Sequence, residues 1–309
     1  MKRKVVKLGP STLVVSLPSG WIKHNGITPG AELDLEETNN NLMIKAPVKQ
    51  HPAITITLHD ENDKKSAYAQ LSHLYRVGFD KITVHFTELS SLKHISHVVS
   101  RHLLGFEITK KNATSCVIES ITEPTDEKFS VLMRRIFFQI KETQELVKFD
   151  FSHTTTHKAE EIEDIRASLD RYIFFCRRLI SKGVDTGESA HLVWELLTFL
   201  MHIDHAYYYM YEYHKDHKKK IHRETLLILE HLEHYFDYFY KAYFERKEEH
   251  LIKRRKEREQ IQKMIMSQLE SALNQNKVIL SYLAQILRLM QVGISPIHSI
   301  IVDEKRKQS

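Results

Sequence analysis

The hydrophobic pattern changes period twice along the chain. Up to residue 48, apolar residues come in short runs: Lys4-Val5-Val6-Lys7-Leu8, Thr12 to Leu17, Glu32-Leu33-Asp34-Leu35-Glu36 and Leu42-Met43-Ile44-Lys45. Gly9-Pro10, Pro18-Ser19-Gly20, Thr28-Pro29-Gly30 and Asn39-Asn40-Asn41 separate them, which predicts four strands joined by turns. Leu33 and Leu35 alternate with acids, the period of a strand with one face turned inward. Four such strands make a sheet too small to hold itself together, so the pattern predicts an obligate homodimer.

Between residues 52 and 123 the units lengthen. Ala53 to Leu58 and Lys81 to Phe86 read as strands, Asp63 to Val77 and Ser91 to Leu104 as helices. Gly105 stops the second helix, and Phe106-Glu107-Ile108 with Cys116-Val117-Ile118 predict a hairpin around Lys111-Asn112. This β-α-β-α-β-β order predicts a small α/β domain of ferredoxin-like type.

From Glu127 the spacing is helical. Phe129, Leu132, Ile136, Ile140, Thr143 and Val147 mark one face, and Ile162, Ile165, Leu169, Ile173, Cys176 and Ile180 a second, ended by Lys182-Gly183. Leu192, Leu196, Leu200, Ile203, Tyr207 and Met210 mark a third helix; Leu229, Leu232, Phe236, Phe239 and Tyr243 mark a fourth. A charged joint from Glu245 to Glu259 leads to Ile261, Ile265 and Leu269, and an apolar segment after Asn276 closes the set. Two sets of three long helices predict an all-α bundle built from two three-helix repeats.

Chain punctuation supports these boundaries. Six of nine glycines and six of seven prolines lie at or before Pro124, so the first part turns often and the remainder is long helices. The expected organisation is multidomain: residues 1–48, 52–123 and 127–309.

Composition narrows the class. Of 309 residues 42% are hydrophobic and 28% charged, as in globular chains. Two cysteines, Cys116 and Cys176, exclude a disulfide scaffold and a cysteine-based zinc site, and point to a reducing cytoplasm. Residues 278–302 carry one charge, Arg288, but Gln285, Gln291, Gly293, Ser295 and Pro296 lie among them; the expectation is a buried bundle helix and no membrane span. There is no Gly-rich phosphate loop, no Gly-x-Ser-x-Gly elbow and no catalytic cysteine context, so no enzyme activity is expected. The net charge of +5 is mild, but its distribution is uneven. Arg3, Lys4, Lys7 and Lys23 stand in a stretch with no acid before Glu32, and a dimer would double that charge into a surface suited to double-stranded DNA.

The run from Val6 to Pro18, followed by Trp21-Ile22, Gly26-Ile27, Pro29-Gly30 and Leu33-Asp34-Leu35, resembles the AbrB/SpoVT swapped-hairpin family. That resemblance implies an intertwined homodimeric β-barrel and assigns Arg3, Lys4, Lys7 and Lys23 to DNA binding. The remainder looks like the archaeal PhoU-type phosphate-uptake regulators, through Leu103-Leu104-Gly105-Phe106-Glu107-Ile108, Leu132-Met133-Arg134-Arg135, Leu169-Asp170-Arg171-Tyr172 and Ile203-Asp204-His205-Ala206. It implies two three-helix repeats and a role in setting phosphate transport.

PhoU-type bundles hold metal through acids four residues apart, one helical turn, on a shared face. Here Arg166 precedes Asp170 and Leu200 precedes Asp204 at that spacing, so the pairs are incomplete; no cofactor is expected, and a metal ion would have to be held by Asp170, Asp204 and His205. Two alternatives remain open from sequence. One is an adaptor that dimerises through its head and docks on a phosphate transporter or sensor. The other is a metal-dependent helical-bundle enzyme, raised by His202, His205, His231 and His234 beside Glu230, Glu233 and Asp237. The apolar positions of that helix turn most of these polar groups toward water. The run Tyr207 to Tyr211 is read as packing, and Lys253 to Arg258, interleaved with acids, as a solvated helix face.

Overall fold

The computed structural model describes residues 2–38, 41–45, 53–58, 64–122, 127–184, 186–271 and 275–308. They belong to two compact units, Met1–His51 and Pro52–Ser309.

In the first unit β1 (Val5–Lys7) pairs antiparallel with β2 (Leu13–Val15), Val6 opposite Val14. Helix α1 (Ser19–His24) follows, then β3 (Asp34–Thr38) paired antiparallel with β4 (Asn41–Lys45), Leu35 opposite Ile44. The strands form two separate two-stranded ladders within one chain. Thr28-Pro29-Gly30-Ala31 closes as a turn with an Ala31 N–H to Thr28 carbonyl bond of 3.0 Å; Gly30, at φ +88°, supplies the positive dihedral of a type II turn. Pro18-Ser19-Gly20, expected only to turn, opens α1 instead, with the Ile22 N–H bonded to the Pro18 carbonyl at 3.0 Å. The middle of the Asn39-Asn40-Asn41 turn lies outside the described residues.

The second unit opens with β5 (Ala53–Leu58), α2 (Lys64–Arg76), β6 (Lys81–Phe86), α3 (Leu89–His102), β7 (Phe106–Lys111) and β8 (Ser115–Ser120). Ile82, Val84, Phe86, Cys116 and Ile118 are buried on one sheet face, while Lys81, Thr83, His85 and Glu119 lie on the other. The expected element order is present, but the ferredoxin-like arrangement is not. The sheet runs β5-β6-β8-β7, with β5 and β6 adjacent and parallel. A split β-α-β unit needs a strand between its parallel pair. Here the hairpin instead sends β7 to the edge and brings β8 back, antiparallel, against β6.

Six helices follow: α4 (Glu127–His153), α5 (Ala159–Ser181), α6 (Ala190–His217), α7 (Arg223–Glu245), α8 (Glu248–Glu270) and α9 (Lys277–Gln308). Within α4–α6 each helix packs on the other two, and so it is within α7–α9; α6 lies along α9 and α4 against α7 to join the triplets. Helices α2 and α3 both pack on α5, so the α/β part and the helices share one body. The charged stretch expected as a joint is mostly helix: the break is confined to Arg246, at φ +56°, and Lys247, and Arg255 pairs with Glu259 one turn on.

Helix α9 is long and apolar enough to cross a membrane. In the bundle it packs on α6, α7 and α8, burying Leu280, Leu283, Ile286, Met290 and Ile297. Gly293 marks its closest approach, where an added Cβ would stand 2.9 Å from Phe199 Cβ and 3.2 Å from Phe239 Cζ.

The tie between the α/β part and the helices is ionic and dry. Arg178 on α5 is buried, pairs with buried Asp80 just before β6, and donates to the carbonyls of Tyr75 at 3.1 Å and Phe79 at 2.7 Å. Lys182 reaches both Asp80 oxygens at 2.8 Å. The guanidinium also lies over the rings of Tyr75 and Phe106, at 5.1 and 4.7 Å. A buried carboxylate is tolerated only when so many donors replace its water.

Candidate nucleic-acid interface and a buried polar cluster

In the first unit Arg3 and Lys4 lead into β1, Lys7 ends it and Lys23 lies on α1; all four are exposed. None of them makes an ion pair among the described residues, so their charge is available to an anion. The strands beside them are equally bare. Val5 is 63% exposed, Leu8 65% and Leu13 69%, and no described residue of this unit is buried. An exposed apolar surface of this kind is suited to an interaction with another surface.

In the second unit the residues singled out for metal meet, but as a hydrogen-bonded cluster. Asp170 is buried on α5; its Oδ1 receives His205 Nε2 of α6 at 2.9 Å, and its Oδ2 accepts from Tyr68 of α2 at 3.1 Å and from Arg166 at 3.5 Å. Burial pushes the Asp170 carboxyl up, but the hydrogen bond and charge of His205, then Arg166 and Tyr68, outweigh it and hold it below its ordinary value. Burial likewise pulls the His205 imidazole down, and its bond to Asp170 leaves it above its ordinary value. Asp204 behaves in the opposite way to Asp170. It receives Thr143 Oγ1 of α4 at 2.9 Å, its Oδ2 is buried with no partner, and burial pushes its carboxyl up to about 7.

Among the described residues no group of three His, Cys, Asp or Glu side chains is arranged to hold a metal ion. Arg166, standing where the metal-binding pattern wants an acid, supplies the charge that Asp170 faces. Two acids of α7 face lysines of α4, Glu233 pairing with Lys148 and Asp237 with Lys141 at 2.6 Å, while Glu230 is exposed. Of the aromatic run, Tyr207 and Tyr211 are buried while Tyr209 is exposed, as helical spacing dictates. The side chains of Lys253 and Arg254 lie outside the described residues; Arg255 and Arg258 both reach Glu259.

Sequence reasoning missed Tyr68 and Thr143 as partners of the two aspartates, because they come from helices 102 and 61 residues away. The i, i+4 spacing of Arg166 and Asp170 was the one local signal.

Two hairpins around a short helix, with exposed cations at the first strand, make up the first unit, and the family match supports reading it as a small AbrB-type head. Residues 6–53 match the family described as antidote-toxin recognition MazE, bacterial antitoxin. Domains of the MazE/AbrB type typically dimerise and bind DNA, which is consistent with nucleic-acid-binding regulation. No curated protein and no solved structure matches the chain.

Proposed function

We propose that the protein is a homodimeric DNA-binding transcriptional regulator of phosphate uptake, not an enzyme, and that it works in the cytoplasm. The observation that carries the DNA-binding part is the head: exposed Arg3, Lys4, Lys7 and Lys23 beside strands that bury nothing in a single chain. Two copies of β1–β2 and β3–β4 pairing across a two-fold axis would complete a barrel and place eight cations on one assembly. The phosphate assignment rests on resemblance of the second unit to PhoU-type regulators, and the two interlocked helix triplets support reading α4–α6 and α7–α9 as its repeats. In this reading residues 52–123 and 127–309 form the part that senses or relays.

The test is a fluorescence-anisotropy titration of the full chain against random duplex and against its own promoter fragments, at two salt concentrations. Salt-dependent binding that tightens on one promoter is expected, and joint substitution Arg3→Ala, Lys4→Ala and Lys7→Ala should abolish it. No binding at low salt would overturn the reading in favour of an adaptor docked on a phosphate transporter or sensor.

A further inference from the structure

A cavity of about 510 Å³ opens between α2, α3 and α5 in the second unit. Its wall is made of Tyr68, His94, His97, Val98 and His102 with the cations Lys93 and Arg166, and no acid is among these described residues. His102 stands edge-on to Tyr68, ring centroids 4.8 Å apart, so the two rings form a corner. His102 is only 6% exposed, yet its Nδ1 has no hydrogen-bond partner. That nitrogen is closed off from solvent, and what His102 offers the cavity is its ring. Burial also drives this imidazole down to about 4, so it stands neutral near pH 7.

Two cations line the cavity, Lys93 from α3 and Arg166 from α5. Lys93 is exposed and makes no ion pair among the described residues. Arg166 is pre-oriented by Glu163 at 2.9 Å and lies 4.7 Å from the Tyr208 ring. Across His97 a second cavity of about 390 Å³ adds Arg101 and Arg171; its one acid, Asp164, is already paired with Arg101 at 2.7 Å. The main cavity falls in the size range of small-molecule sites and is far larger than an inorganic anion fills.

We propose that this cavity is a binding site for a nucleoside monophosphate, its planar base against Tyr68 and the imidazole rings and its phosphate held by Lys93 and Arg166. The base supplies a flat apolar body for the ring-lined corner, and the phosphate a charge that matches the cations at its edge. The site belongs to the second unit and does not depend on whether the head binds DNA.

Calorimetric titration of the full chain with adenosine and guanosine monophosphate, with adenosine and with inorganic phosphate tests this. At least one monophosphate should bind, with adenosine and inorganic phosphate each about tenfold weaker or worse, the loss expected for a missing charged hydrogen bond or a missing stacked ring. Lys93→Glu, a change at an exposed position that leaves the fold intact, should weaken the monophosphate about tenfold. Absence of binding by both monophosphates, equal binding of inorganic phosphate, or binding unchanged in Lys93→Glu would each overturn the proposal. Because no DNA is present, the outcome is separate from that of the promoter titration.

Discussion

In the head, Leu13 on β2 is 69% exposed; in the second unit, Leu200 on α6, Phe236 on α7 and Leu283 on α9 are fully buried. Both stretches are apolar and regularly patterned, so the difference lies in what covers them. The helices find cover within their own chain, because six long amphipathic segments enclose a core. Strands of three residues do not, and within the head their apolar side chains stay exposed. The comparison teaches that the larger unit draws its stability from its own chain, whereas in the proposed dimer the stability of the small head would depend also on concentration.

The sharpest way to break that contrast is to deny the head its cover. Leu13→Asp with Val15→Asp should abolish the dimer and unfold the head, while the second unit melts as before; sedimentation and calorimetry read the two events separately. Next in size is the buried ion pair. Arg178→Met removes the buried guanidinium from Asp80 and should cost about 3–5 kcal/mol, seen as a lower melting temperature of the second unit only.

Asp204 gives a pH-dependent effect. Its folded carboxyl titrates near 7, above the ordinary value of about 4, so the folded state holds a proton there that the unfolded chain has lost. The stabilisation is complete below pH about 4 and is lost as the pH rises through about 7. Asp204→Asn keeps the neutral shape and should abolish this slope, making the variant more stable than the parent by a few kcal/mol at pH 8, as thermal melts at stepped pH will read. The smallest effect is expected at the α6–α9 contact. Gly293→Ala must push Phe199 aside and should cost about 1–3 kcal/mol.

What could be read from the sequence follows from range. The bounds of β5 and β6 agree with their hydrophobic runs residue for residue, and α5 ends at Lys182-Gly183, Gly183 taking φ +72°. These are local properties. Sheet order is not: whether β8 or β7 lies beside β6 depends on pairings across more than thirty residues, such as Ile82 with Ile118. Helix α1 was hidden because Pro, Ser and Gly favour both turns and first helical turns, and six residues give too little period to decide. Asp170, Asp204 and His205 were recognisable as polar residues on apolar helices. Their opposite titration was not, since it depends on Tyr68 and His205 reaching one carboxylate and nothing reaching Asp204 Oδ2. The ring-lined cavity needs α2, α3 and α5 together, and no single stretch carries its signature.

The anchoring of α5 has a mechanical consequence. The helix is fixed to α2 at Asp170, through Tyr68, and to the turn before β6 at Arg178. Those points lie about 12 Å apart along its axis at 1.5 Å per residue. A rod fastened at two stations neither slides nor spins, so α2, α5 and the start of β6 behave as a chassis. Helix α3 is held to the same rod by its packing on α5 and, at the surface, by Arg101 and Asp164, so the three helices make one frame around the cavity.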